Sequence, residues 1–151
     1  MTTPEIVVAL TERRSSPLGP QVNPKILHRV YFDNMPPYAD PFEHFLETWH
    51  REMPEYTVMK WNASNVDLGA NEWVRRAVKA KSPVFLSEYF RWWALAQYGG
   101  VYLDADCEIL DGKKLSALID DVYASSEYDT AIGVEEYQNG RSRKNGRNKN
   151  N

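Results

Sequence analysis

At 151 residues and 17.5 kDa the chain has the length of one domain. With 42% hydrophobic, 13% aromatic and 26% charged residues it is globular in composition, which excludes a disordered, collagenous or coiled-coil chain, and its single cysteine, Cys107, excludes an internal disulfide framework. The formal charge of −3 is uneven: residues 140–151 hold 5 of the 18 basic and none of the 21 acidic residues, so residues 1–139 sum to −8, an acidic body that argues against nucleic acid as the partner.

Residues 1–23 hold one short apolar run, Ile6 to Leu10, too short for a signal-peptide core, then the breakers Ser15, Ser16, Pro17, Gly19 and Pro20; they read as a loose leader. Lys25 to Phe32 (KILHRVYF), bounded by Pro24 and by Asp33, Asn34, Pro36 and Pro37, reads as a strand. Asp40-Pro41-Phe42-Glu43 is a helix start with Asp40 as N-cap, and Phe42, Phe45, Leu46 and Trp49 follow at helical spacing up to Pro54. Tyr56 to Trp61 predicts a second strand and Asn71 to Lys81 a second helix. Ser82-Pro83 opens a third helix, which Gly99-Gly100 ends. Val101-Tyr102-Leu103 reads as a buried strand, Leu115 to Ile119 as a short helix, and Ala131 to Val134 as a further strand. Strands alternating with helices predict an α/β domain with a mainly parallel sheet. The tail after Glu136 lacks apolar periodicity and reads as disordered and basic, over residues 137–151. No apolar run approaches the roughly 20 residues that cross a bilayer, so a cytoplasmic location, soluble or peripheral to a membrane, is expected.

The stretch that carries chemistry is Ser87 to Glu108, SEYFRWWALAQYGGVYLDADCE. Asp104 and Asp106 sit two apart at the end of a short apolar strand, where side chains at i and i+2 project to the same face, and ligands of open α/β sheets lie beyond the carboxyl ends of the strands. Two neighbouring carboxylates call for a positive partner, and a hard divalent cation takes oxygen ligands of this kind. An Asp-x-Asp pair alone is weak evidence; here the helix ended by Gly-Gly and the strand before the acids give it context. By the same alternation Cys107 faces away from Asp106 as a buried, inert thiol. Glu88 and Arg91 read either as site residues or as an i,i+3 surface ion pair. His28 reads as a satisfied structural histidine or a site residue, and Tyr31 and Trp61 as core rings or as platforms for a nucleobase.

The blocks PKILHRVYF (Pro24 to Phe32), P-E-Y-x-x-x-x-W (Pro54 to Trp61), and S-E-x-x-R (Ser87 to Arg91) followed by YGGVYLDADCE (Tyr98 to Glu108) resemble the sugar-binding region of glycosyltransferase family 32, over roughly residues 24–135. That family includes outer-chain mannosyltransferase-type and capsular-polysaccharide enzymes. The resemblance implies a GT-A type fold, Rossmann-like, over residues 24–136. It also implies a nucleotide-sugar donor carrying UDP or GDP, Mn²⁺ or Mg²⁺ as cofactor, a glycan or glycolipid acceptor, and transfer with retention. Carried over by position, it implies that Asp104 and Asp106 are the catalytic pair, with Asp106 on the metal and Asp104 on the donor's ribose and sugar. Arg91, Glu88, His28 and Trp61 join Asp104 at the donor. Glu88 stands where the family pattern has Asp, which moves the carboxylate by one methylene. Family members continue past the segment at Ala131 to Glu136, so the chain is expected to be the amino-terminal, donor-binding part; the alternative expectation is a non-catalytic remnant that binds the nucleotide sugar.

Overall fold

The computed structural model describes residues 6–12, 21–33, 40–125 and 128–135. Its centre is a three-stranded parallel sheet in the order β3-β2-β4, with β2 Ile26–Val30, β3 Thr57–Trp61 and β4 Val101–Tyr102. Helix α1 (Leu46–Glu52) links β2 to β3, and α2 (Glu72–Lys79) and α3 (Pro83–Tyr98) link β3 to β4. Parallel neighbours need such crossovers, and β2, flanked on both sides, carries an unbroken buried run from Leu27 to Val30.

Alternation along the strands divides the core in two. Val30, Phe32 and Trp61 point to one face and pack on Val74 and Ala77 of α2 and Leu86, Phe90 and Ala94 of α3. Leu27 points to the other, where Leu46, Trp49 and Met53 from α1 and its end meet Ile109 and Ile119, the latter from α4 (Gly112–Ala124). The sheet is therefore covered on both faces, as an α/β domain requires.

Side-chain caps start three of the helices: Asn71 accepts from Val74 N, Ser82 from Phe85 N and Asp111 from Lys114 N. Ahead of α1 the outcome differs from the predicted cap. Residues Glu43–Phe45 form a 3-10 turn and the α-helix begins only at Leu46. The Asp40 carboxylate is engaged by the Arg29 guanidinium and by the Phe42 N–H, so it holds an Asx turn rather than a helix N-cap. At the end of α3 the chain reverses through Gly99 and Gly100, both at positive φ. A Cβ on Gly100 would lie 2.6 Å from the Ile26 carbonyl oxygen.

Three expectations need correction. Residues 6–12, read as part of a loose leader, form strand β1 (Ile6–Glu12). The strand expected at Ala131 to Val134 runs as β5 (Tyr128–Glu135), which pairs antiparallel with β1 in a separate two-stranded sheet and not with the parallel one. The strand at Val101 is half-buried, not buried, because it lies at the edge of its sheet with β2 on one side only. The remainder of the leader, the loop at 34–39 and the basic tail lie outside the described residues.

Candidate functional site

The three parallel strands end at one edge, so Tyr31, Asn62 and Leu103 emerge on the same side of the sheet. The Leu103 N–H still donates to the His28 carbonyl at 3.1 Å, and then the ladder stops. Asp104 to Cys107 form a tight turn, closed by the Cys107 N–H on the Asp104 carbonyl at 3.0 Å. This corrects the reading of the two acids as strand residues. Neither lies on β4, so strand alternation sets neither their shared direction nor that of Cys107, which is half-buried against the α1/α4 core cluster.

Asp104 is held at this turn by two neighbours. The Tyr102 hydroxyl donates to its Oδ1 at 2.7 Å, and the Arg91 guanidinium lies 3.9 Å from the same oxygen. Arg91 also sits over the Tyr102 ring, its Cζ 4.8 Å from the centroid. Burial, and then the bond to Asp104, push the Tyr102 hydroxyl far above its ordinary range, so it remains a donor at any physiological pH. The Arg91 Nε is buried without a hydrogen-bond partner among the described residues, which leaves the guanidinium with capacity beyond its pairing to Asp104.

Asp106 differs from Asp104. It is exposed, and its carboxylate makes no hydrogen bond or ion pair with the described residues. Glu88, one turn of α3 before Arg91, is also exposed, and the ion partner of Arg91 is Asp104 rather than Glu88. The structure thus brings Arg91 and Asp104, both expected at the donor, within 3.9 Å of each other, and adds Tyr102, which sequence reasoning misses. Its signal is only that it stands two positions before Asp104 at a strand end.

His28 and Trp61 are brought together, yet away from solvent. His28 has 0% and Trp61 8% of its surface exposed. The Trp61 indole N–H donates to His28 Nδ1 at 3.0 Å, which leaves Nε2 to donate to the Gly99 carbonyl at 2.8 Å. Trp61 is stacked on His28 and on Tyr98, and Trp93 meets it edge-on. With every polar atom of this pair spent inside the protein, His28 and Trp61 brace the end of α3 against β2 and β3; neither offers a group to a ligand. Tyr31 is half-buried at the end of β2, edge-on to Phe42.

Among the described residues no three His, Cys, Asp or Glu side chains cluster to hold a metal ion. The donor set nevertheless fits a hard cation that shares its coordination with phosphate. Mg²⁺-type ions are held by about one or two protein carboxylates and complete their shell with water and substrate oxygens. Asp106, exposed and unbonded among the described residues, offers one such oxygen donor.

A family model, the glycosyltransferase sugar-binding region containing a DXD motif, matches residues 40–127, more than half of the chain. The match spans Glu88, Arg91, Asp104 and Asp106 and leaves out His28. No curated protein and no solved structure matches the chain.

Proposed function

The chain belongs to the glycosyltransferase sugar-binding regions that contain a DXD motif, and from that premise we propose that it binds a UDP- or GDP-sugar at the Asp104-Ala105-Asp106 turn and transfers the sugar, with retention, to a glycan or glycolipid acceptor. The family 32 lineage, a GT-A type fold, divalent-metal dependence, a place in polysaccharide biosynthesis and a cytoplasmic setting, soluble or membrane-peripheral, are part of the same proposal. Among the described residues no helix is long and apolar enough to cross a membrane. One observation supports the reading above others. Of the two acids at the sheet's carboxyl edge, one is pinned by Tyr102 and Arg91 while the other stands exposed and, among the described residues, unbonded.

The division of labour follows from those environments. Asp104, its Oδ1 taken by Tyr102, offers its second oxygen to the ribose or sugar hydroxyls of the donor. Arg91 lies beside it with a planar fork of donors suited to phosphate or sugar oxygens, and a donor phosphate would compete for the guanidinium with an Asp104 that stands 3.9 Å away. Asp106, with Asp104 beside it in the turn, would hold Mn²⁺ or Mg²⁺. Such an ion supplies Lewis-acid stabilisation of the charge that builds on a departing diphosphate. Glu88, exposed on the same helix, is assigned to the donor's sugar, where its extra methylene relative to Asp would bear on which sugar is accepted.

Isothermal titration with UDP- and GDP-sugars in the presence and absence of Mn²⁺ tests this. We expect metal-dependent binding of at least one donor. Asp106→Asn should weaken it by about tenfold or more, ~1.4 kcal/mol. The same change should leave the melting temperature nearly unmoved, because the carboxylate has no bond to the described residues to lose. Metal-dependent binding that survives Asp106→Asn unchanged removes Asp106 from the metal; no binding of any donor removes the proposal.

A further inference from the structure

Asp106 occupies a loop that has little regular structure, yet the peptide carbonyls on both sides of it are taken by buried side chains. The Ala105 carbonyl accepts from Arg29 Nη2 at 3.4 Å, and the Cys107 carbonyl accepts from the Trp49 indole N–H at 2.8 Å. Arg29 is 3% and Trp49 0% exposed. One more bond continues the attachment, from the Ile109 N–H to Thr48 Oγ1 at 3.0 Å.

We propose that Arg29 and Trp49 are positioning residues that clamp the acidic turn, fixing the peptide plane that enters Asp106 and the one that leaves Cys107, and so the direction of the Asp106 carboxylate held between them; this rests on the assignment of Asp106 to a metal–diphosphate donor. The two arms come from different elements, Arg29 from β2 and Trp49 from α1, so the turn is tied to the sheet and to the helix that crosses it. The Arg29 arm is itself rigid. Its guanidinium is held in a two-point ion pair by Asp40, and lies 5.7 Å from the Tyr31 ring centroid. A structural arginine in this core needs only Asp40, and a buried indole needs only some acceptor. That both reach the carbonyls either side of Asp106 is what makes them a clamp. Metal and phosphate sites work only when a carboxylate is held within about 0.5 Å and 10–20° of its productive direction, and an exposed turn residue has no packing of its own to hold it there.

The test uses the full chain in four forms: wild type, Trp49→Phe, Arg29→Lys, and Ile119→Val as a control for loosening the same core cluster. Phe keeps the ring and drops the N–H; Lys keeps the charge on Asp40 and drops the second arm. Two quantities are read: hydrogen exchange at the Cys107 amide, which closes the turn, and binding of UDP or GDP with Mn²⁺ by titration. The clamp predicts that Trp49→Phe speeds Cys107 exchange by about tenfold, the effect of one lost hydrogen bond. It should weaken Mn²⁺-dependent nucleotide binding several-fold as well. Arg29→Lys should move both in the same direction, and Ile119→Val neither. The proposal is overturned if Cys107 exchange is unchanged in Trp49→Phe and Arg29→Lys, or if Ile119→Val moves exchange and binding as far as Trp49→Phe does. If wild type binds neither nucleotide with Mn²⁺, the donor-site reading falls, while Cys107 exchange still decides whether the clamp on the turn exists.

Discussion

His28 shows how a residue that resembles a ligand-binding group can be consumed by the fold. Trp61 donates to Nδ1 and the Gly99 carbonyl accepts from Nε2, an arrangement that suits the neutral imidazole alone. Burial accordingly pulls its pKa below the ordinary 6.5, opposed in part by the Gly99 carbonyl. The native protein therefore binds fewer protons than the unfolded chain around and below that pH, so stability rises with pH through this range and is lost as pH falls. The depressed carboxyls of Glu52, Glu72 and Asp111 lose their contributions only as pH falls through values below their ordinary 4.5 and 3.8, outside this window. Thermal unfolding of wild type should show a melting temperature that drops between about pH 7 and pH 5. His28→Gln should be less stable at pH 7 by about 1–3 kcal/mol and should flatten that slope. An equal slope in the variant would assign the pH dependence to other groups. At this scale Asp104, Asp106 and Arg91 could be named as candidates from the sequence because charged residues just past a strand and on the preceding helix declare themselves. Tyr102, Arg29 and Trp49 are not, because an aromatic or an arginine inside an apolar run gives no sign of which distant atom it will bond.

The helices are spelled out by their ends more than by their middles. Asn71, Ser82 and Asp111 each cap as short polar residues should, and the chain turns at Gly99-Gly100 where glycine is needed. Helix α4 runs from Gly112 to Ala124, well beyond the Leu115 to Ile119 segment read from apolar spacing. Its flanks are polar, with Lys113, Lys114, Asp120 and Asp121 diluting the pattern, and the structure shows Asp111 capping it by accepting from the Lys114 N–H. Gly112 explains why α4 sits where it does. A Cβ there would lie 1.9 Å from the Glu52 carbonyl oxygen, so the first turn of α4 touches the backbone end of α1. Gly112→Ala should push the two helices apart at a cost of about 1–3 kcal/mol. For a chain of this size that is a fall of about 2–4 °C in melting temperature per kcal/mol. Gly69→Ala, where a Cβ meets only the flexible Asp67 side chain at 3.3 Å, should be nearly neutral in the same thermal denaturation experiment. Equal effects of the two substitutions would mean that α1 and α4 can separate freely.

In the molecule as a whole, a sheet covered on both faces leaves its strand ends as the place where polar groups can gather without being buried. Alternation of helices and strands was enough to predict the parallel sheet, but helical spacing did not single out Leu86, Phe90 and Ala94, the residues by which α3 covers one face. What alternation could not predict was pairing between distant segments. Strands β1 and β5 lie more than a hundred residues apart and join each other in a second sheet, a choice set by tertiary pairing and not by local pattern. The acidic turn owes its place to both levels: its position to the strand that precedes it, and its shape to long-range bonds from β2 and α1. The claim on which the function rests is that Asp106 carries a divalent ion together with a nucleoside diphosphate. Anomalous diffraction from crystals grown with Mn²⁺ and UDP or GDP measures this directly. The account predicts a manganese peak at coordination distance from the Asp106 carboxylate, bridging to diphosphate oxygens; a nucleotide bound with no manganese at Asp106, or manganese bound only elsewhere, would contradict it.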